Sequence, residues 1–166
     1  MIFSQSVNIK SCIVCFAYQG PNQTTTYFND NIGHFHRYVY VLDGQIDTEV
    51  TPENSTVPDS SLLLLSKEFY DIAHTKGKNI KGITGETGAA MVFFNPIRAE
   101  DISVEIVKDK QTLKLKVTER TSIVCLTGPI EANGKPINEM QFATLPLNKT
   151  VTLDMQDGAI CAIVTG

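Results

Sequence analysis

Charge is scarce in this chain of 166 residues, and basic residues are slightly outnumbered by acidic ones. Lys and Arg number 14 and Asp and Glu 18, so the formal net charge is -4 and only 19% of the residues are charged. A nucleic-acid-binding surface needs clustered Lys and Arg to neutralise phosphates, and an anionic membrane surface attracts the same residues. The composition therefore argues against both nucleic acids and membranes as partners.

Long hydrophobic runs and a secretion signal are also missing. No segment approaches the roughly 18 apolar residues of a membrane span. The opening residues, MIFSQS, lack a basic region, an apolar stretch and a cleavage site. We therefore expect a cytoplasmic protein with reduced thiols. The four cysteines lie in apolar, β-branched runs, which favours buried thiols over disulfides: Cys12, Cys15, Cys125 and Cys161.

Helical periodicity does not extend beyond about three turns anywhere, whereas short runs rich in Val, Ile, Thr, Phe and Tyr recur between Gly, Pro, Asn and Asp. This pattern predicts an all-β protein, and 42% hydrophobic residues supply enough apolar material for a sizeable core. The glycine-rich segment 76–88 is predicted to be a loop. The predicted strands are 7–16 (one strand or a pair), 24–28, 33–44, 45–50, 62–65, 67–74, 89–94, 102–107, 113–118, 121–126, 141–145, 151–153 and 159–164.

Histidine is rare as well, and its three positions suggest a site. His34 and His36 form a His-x-His pair at the start of a predicted strand, and His74 ends a second apolar run. A His-x-His pair with a distant third His is a spacing typical of metal ligands. In the alternative interpretation, the pair caps a strand or lies in a dimer interface, and His74 is an ordinary loop residue.

The two halves of the chain contain an internal repeat in three consecutive pieces. Residues 40–46 (YVLDGQI) match 124–130 (VCLTGPI), residues 65–67 (LSK) match 145–147 (LPL), and residues 88–94 (GAAMVFF) match 158–164 (GAICAIV). The offsets fall from 84 to 80 to 70. The same strand order with shorter loops in the second copy is therefore expected.

This order of features resembles the cupin superfamily, once per half. The features are a strand ending in V-L-x-G, a return strand, a later strand ending near His, and a glycine before a final apolar strand. The resemblance implies a double-stranded β-helix (jelly-roll) fold, here as a bicupin whose two tandem barrels pack as one compact unit. It also implies that His34, His36 and His74 hold a divalent metal such as Zn, Fe, Mn or Ni. The metal motif is degenerate, because Tyr40 stands where the family has Glu and Gly44 follows His36 by eight residues instead of eleven.

The register of the histidine strand decides whether these side chains reach the barrel interior. Counting back from Gly44 turns Arg37, Val39 and Val41 inward and sends His34 and His36 to the opposite face. In that register Arg37 would fix a carboxylate or phosphate at the barrel mouth. In the second copy, Thr118, Arg120 and Asp154 are the residues matched to the three histidines, and they form no recognisable ligand set.

We therefore expect an N-terminal barrel in 1–100 and a smaller C-terminal barrel in 101–166. The predicted function is binding of a small polar molecule in the first barrel, with or without the metal, through Arg37 and Tyr40. An alternative is a metal-dependent or His/Tyr-dependent isomerase, epimerase or dioxygenase, in which Tyr40 acts as an acid. A third possibility is a structural barrel without a site. A homodimer that covers exposed sheet edges is also expected.

Overall fold

The structure is a computed structural model that describes residues 2–9, 12–28, 38–52, 54–72, 78–96 and 102–166. Every regular element in these ranges is a β-strand, which confirms the all-β prediction. No helix among them is long and apolar enough to cross a membrane. The strands are β1 (Ile2–Ile9), β2 (Cys12–Gln19), β3 (Thr24–Phe28), β4 (Tyr38–Asp43), β5 (Ile46–Pro52), β6 (Ser60–Leu64), β7 (Phe69–Asp71), β8 (Lys78–Ile83), β9 (Ala89–Pro96), β10 (Ser103–Lys108), β11 (Gln111–Lys116), β12 (Thr121–Thr127), β13 (Ile130–Ala132), β14 (Lys135–Ile137), β15 (Phe142–Thr144), β16 (Thr150–Met155) and β17 (Ile160–Thr165).

Contacts divide the chain into two compact units. The first unit comprises Met1–Ser6 and Ile13–Pro96, and the second comprises Val7–Cys12 and Ile97–Gly166. The first unit contains a sheet in the order β1-β2-β9-β4-β7 and a second sheet in the order β3-β8-β5-β6. The second unit contains the sheets β10-β17-β12-β15 and β11-β16-β13-β14.

The two units repeat one topology, because adding eight to each strand number from β2 to β9 gives the strand order of the second unit. Strand pairing follows the same rule. The pairing of β4 with β9 is interrupted by a bulge between Val41 and Asp43, and that of β12 with β17 by a bulge between Cys125 and Thr127. Since these bulges fall at matched positions, the internal repeat predicted from the sequence is confirmed in its first piece.

Strand registers decide the other two pieces of the repeat. Met91 pairs with Val41 as Cys161 pairs with Cys125, which confirms the match of 88–94 with 158–164. The match of 65–67 with 145–147 is wrong, since the former segment follows β6 whereas the latter follows β15. The match of Asp154 with His74 is wrong for the same reason. Asp154 in β16 pairs with Glu131 as Ile83 in β8 pairs with Asp47, so Asp154 corresponds to Ile83.

Each unit has its own apolar core, and strand alternation selects the residues that enter it. In β11 the side chains of Leu113 and Leu115 pack against the second core and Val117 lies within it, in alternation with Lys114 and Lys116. In β10 Val107 enters the core, whereas Val104 and Ile106, which share the other face of the strand, do not.

The predicted loop 76–88 is wrong in its central part, because β8 lies there and pairs with both β3 and β5. The glycines in this segment are typical of a loop, but a neighbouring side chain stabilises the strand by hydrogen bonds. The side-chain amide of Gln19, which is fully buried, donates hydrogen bonds to the carbonyl oxygens of Gly82 and Gln23, both at 2.9 Å. β14 was also missed, since Lys and Pro are poor strand formers.

Candidate functional site

The described part of the predicted site strand is β4, and its register follows from burial. Val39 and Val41 lie in the core cluster of the first unit, whereas Tyr40 between them is fully buried but lies outside that cluster. The register counted back from Gly44 is therefore the observed one for these residues. Tyr40 lies on the sheet face opposite to the barrel core.

The face that carries Tyr40 is aromatic. Tyr38 pairs with Phe94 across β9, and Tyr40 pairs with Phe69 across β7. The rings of Tyr38 and Phe69 stack with 5.5 Å between their centroids, and Phe69 meets Phe94 edge-on at 6.4 Å. This packing is the ordinary role of aromatic residues on a buried sheet face. Tyr40 does not line the cavity found in the core of its own unit.

The other predicted site residues lie outside the described part of the chain: His34, His36, Arg37 and His74. Among the residues that are described, no group of three His, Cys, Asp or Glu side chains could hold a metal ion. The predicted metal set and the predicted anion-binding role of Arg37 therefore stay predictions.

A cavity of about 190 Å³ lies in the core of the first unit, between its two sheets. Val39 and Phe93 line it from one sheet, and Thr48, Leu62 and Ile80 line it from the other. This volume is below the roughly 300–1,000 Å³ of pockets for drug-sized ligands and slightly above the roughly 150 Å³ of an apolar cavity that accepts benzene. The cavity thus suits a molecule the size of one substituted aromatic ring.

Polar groups on this wall are few. The hydroxyl of Thr48, a buried residue, donates a 2.6 Å hydrogen bond to the carbonyl oxygen of Leu62. Because its one proton is used, this hydroxyl can only accept a hydrogen bond from a ligand. Ser60 and Ser61, at exposed positions of β6, are the other polar residues among those described that line the same cavity. The wall therefore offers an apolar surface with one buried acceptor.

Sequence reasoning missed Thr48, Ile80 and Phe93 because no motif marks them. Alternation in β4 and β9 could have indicated Phe93, since it pairs with Val39. Ile80 lies in the strand that was predicted to be a loop. The burial of Thr48 could have been predicted from the alternation of β5, because Thr48 follows the exposed Asp47. Its hydrogen bond to Leu62 could not, because that bond depends on the pairing of β5 with β6.

All four cysteines are within the described residues, and all four are free thiols. Cys15 is half-buried and the other three are buried. Cys125 and Cys161 face each other across β12 and β17. Burial raises the pKa of Cys125 from 9.0 to about 11, aided by the charge of Glu139, and that of Cys161 to about 12, aided by Cys125 and Glu105. These thiols stay protonated near neutral pH.

No protein-family model and no curated protein matches this sequence. Solved structures do match. HutD from Pseudomonas fluorescens SBW25 superposes with a TM-score of 0.61 at 11% identity, covering 93% of this chain and 79% of HutD. A cupin 2 conserved barrel domain protein from Leptotrichia buccalis gives 0.54 at 14% identity, covering 99% and 90%. Salicylate 1,2-dioxygenase from Pseudaminobacter salicylatoxidans gives 0.59 at 8% identity, covering 93% and 70%.

The repeated order of eight antiparallel strands places the protein among duplicated jelly-roll proteins. The matches to solved structures identify that jelly roll as a cupin fold, so the chain is a bicupin in architecture, as the sequence predicted. At identities this low the likeness carries the fold and not the activity of the relatives.

Proposed function

We propose that the first unit binds a small molecule in its core cavity, with an apolar body and a hydroxyl that donates to Thr48. The observation that carries this proposal is the cavity of about 190 Å³, whose described lining residues are apolar except for Thr48, Ser60 and Ser61. The sequence predicted a small polar ligand. The wall favours a less polar one, because a ligand with several polar groups would leave most of them unpaired there.

Phenol is a suitable probe for this cavity, and toluene, which lacks the hydroxyl, is its control. Thr48→Val keeps the shape of the side chain and removes the acceptor. We expect phenol binding, measured by isothermal titration calorimetry and saturation-transfer NMR, to weaken about 2- to 10-fold in Thr48→Val, since a neutral hydrogen bond contributes about 0.5–1.5 kcal/mol. Toluene should bind both proteins equally.

Access to the cavity can be tested with two neighbouring leucines of β6. Leu62 lines the cavity and Leu63 does not, yet each is 40% exposed. Leu62→Trp should abolish phenol binding by covering the rim, whereas Leu63→Trp should leave it unchanged. Equal effects of the two substitutions, or no saturable binding of either probe, would refute the proposed site.

The divalent metal stays a separate proposal that depends on His34, His36 and His74. The described wall of the cavity does not fit a metal, because its polar groups are hydroxyls and the preferred ligands are imidazole, thiolate and carboxylate. Metal content after purification tests the proposal. A metal present at one ion per chain and lost in His34→Ala and His74→Ala would support it, and a metal-free protein with unchanged stability in both variants would exclude it.

The His/Tyr-dependent enzyme was predicted to use Tyr40 as an acid on a ligand in the barrel. Tyr40 lies on the opposite face of β4 from Val39, which lines the cavity. The described geometry therefore gives no support to Tyr40 chemistry in this cavity, and binding without that chemistry is the function we propose.

A further inference from the structure

The second unit has a larger cleft at the matched place in its fold. It measures about 460 Å³ and lies among β13, β14, β15 and the start of β16. Its floor is formed by Ile137, Leu145 and Val151, which belong to the core of the second unit. Its volume falls within the range of pockets that hold organic ligands. The sequence predicted no site in this unit.

Matched residues explain why this cleft is the larger one. The pairing of Val39 with Tyr70 in the first unit corresponds to that of Ile123 with Ala143 in the second. Tyr70 packs against the core of the first unit, and its hydroxyl accepts a 2.8 Å hydrogen bond from the backbone of Leu65. Ala143 has no ring to fill the matching space. The second unit is therefore open where the first is filled by an aromatic side chain.

The rim of the cleft also differs in charge. Thr48 pairs with Leu62 in the first unit, and the matched pair in the second is Ala132 with Lys135. Leu62 and Lys135 each line the cavity of their own unit. Lys135 is the one charged residue among the described residues that line the cleft, and no carboxylate accompanies it there.

The position of Lys135 on its strand directs it to the cleft. Ile137, two residues along β14, is buried in the core, so alternation places Lys135 on the same face. The turn before it is tight, with φ of +49° at Asn133 and +78° at Gly134, which is typical of a two-residue hairpin. A short, defined turn thus sets the backbone position from which Lys135 lines the apolar cleft.

We propose that the cleft of the second unit binds an amphipathic anion, a carboxylate with a short aliphatic body. The carboxylate pairs with Lys135 at the rim, and the aliphatic body occupies the space beside Ala143. The cleft is formed by the second unit alone, so this proposal stands independently of the ligand proposed for the first unit.

Octanoate is the probe, and octanol is its uncharged counterpart. Binding to the full chain is measured by isothermal titration calorimetry in low salt. Two substitutions introduce the residues that the first unit carries at the matched positions: Lys135→Leu removes the charge and Ala143→Tyr fills the cleft. Lys110→Leu, at an exposed position away from the cleft, makes the same change of net charge and serves as control.

We expect Ala143→Tyr to abolish octanoate binding. We expect Lys135→Leu to weaken it about 2- to 5-fold while octanol binding is unchanged, since a partly exposed ion pair contributes up to about 1 kcal/mol. Lys110→Leu and Leu62→Trp should bind octanoate as the native chain does. If Ala143→Tyr fails to give the native circular dichroism spectrum, Ala143→Leu replaces it.

Three results would overturn the proposal: absence of saturable octanoate binding, binding that survives filling of the cleft, or equal losses in Lys135→Leu and Lys110→Leu.

Lys and Pro on a short edge strand also discourage pairing with other chains. Association of Lys135→Leu at high concentration, with octanoate affinity unchanged, would assign Lys135 to that protective role and reject its pairing with the carboxylate.

Discussion

The two units share a backbone plan and differ in the side chains that fill it. Strand order is the same in both, and so is the bulge that interrupts the pairing of β4 with β9 and of β12 with β17. The bulge between Thr26 and Phe28 in the pairing of β3 with β8 has no counterpart in the pairing of β11 with β16. The first unit closes its interior with Tyr70 and leaves a cavity of about 190 Å³, whereas the second has Ala143 there and a cleft of about 460 Å³. Backbone pairing thus constrains the duplicated fold more tightly than the volume of any single side chain.

The edges of the units differ in the same way. β6 is uncharged and carries the exposed Leu62 and Leu63, whereas β14, at the matched edge, carries Lys135 and Pro136. Charge and proline are common protections of an edge strand. If the predicted homodimer pairs sheet edges, the less protected edge of β6 is the one that we expect to take part. The homodimer itself stays a prediction.

The largest effect should come from truncating the two cores at one matched position. Ile46 and Ile130 are buried in their respective clusters at the start of β5 and β13. Replacing either with Ala should lower the free energy of unfolding by about 2–5 kcal/mol, because transfer and cavity terms add. Urea unfolding of the two variants measures both losses. A loss below about 1 kcal/mol in one variant would show that the matched residues do not have matched roles.

The glycine that ends the repeated V-L-x-G motif sharpens the comparison. Gly44 has a φ of +78°, and a Cβ there would overlap the carbonyl oxygen of Gly88. At Gly128 the nearest atom, the sulfur of Cys125, would lie 3.4 Å away. We expect Gly44→Ala to destabilise the protein by about 2 kcal/mol or more, since positive φ and overlap add, and Gly128→Ala by less than about 1 kcal/mol.

Thermal unfolding of the two alanine variants, followed by circular dichroism, tests this difference. The glycine is shared by both sequences, yet only the first copy uses its conformational freedom. Similar losses in the two variants would mean that the close approach to Gly88 does not limit the first unit.

The sequence was sufficient for what depends on local pattern. Alternation predicted β11, and the repeat predicted the bicupin. For β4 the sequence left two registers open, and the one counted back from Gly44, with Val39 and Val41 inward, is observed. It failed where structure depends on partners distant in the chain. β8 contains Gly82, and its strand character comes from pairing on both sides. The cavity of the first unit escaped prediction for the same reason, because Thr48, Leu62 and Phe93 come together only through pairing between strands.

The smallest effect concerns two thiols that only the second unit has. Cys125 and Cys161 stand where the first unit has Val41 and Met91. Their pKa values are raised to about 11 and about 12, so both keep their protons when the same thiols in an unfolded chain ionise near pH 9. Above pH 9 the unfolded state binds fewer protons than the folded state, and stability therefore falls as the pH rises.

Each thiol should give the free energy of unfolding a negative slope against pH between pH 9 and 11, with full stability below pH 9. Urea unfolding at several pH values measures that slope. The matched control is the double variant Cys125→Val with Cys161→Met, which places the residues of the first unit in the second. Because lysine titration is common to both proteins, the difference between their slopes isolates the thiols. Equal slopes would mean that these buried thiols do not link folding to pH.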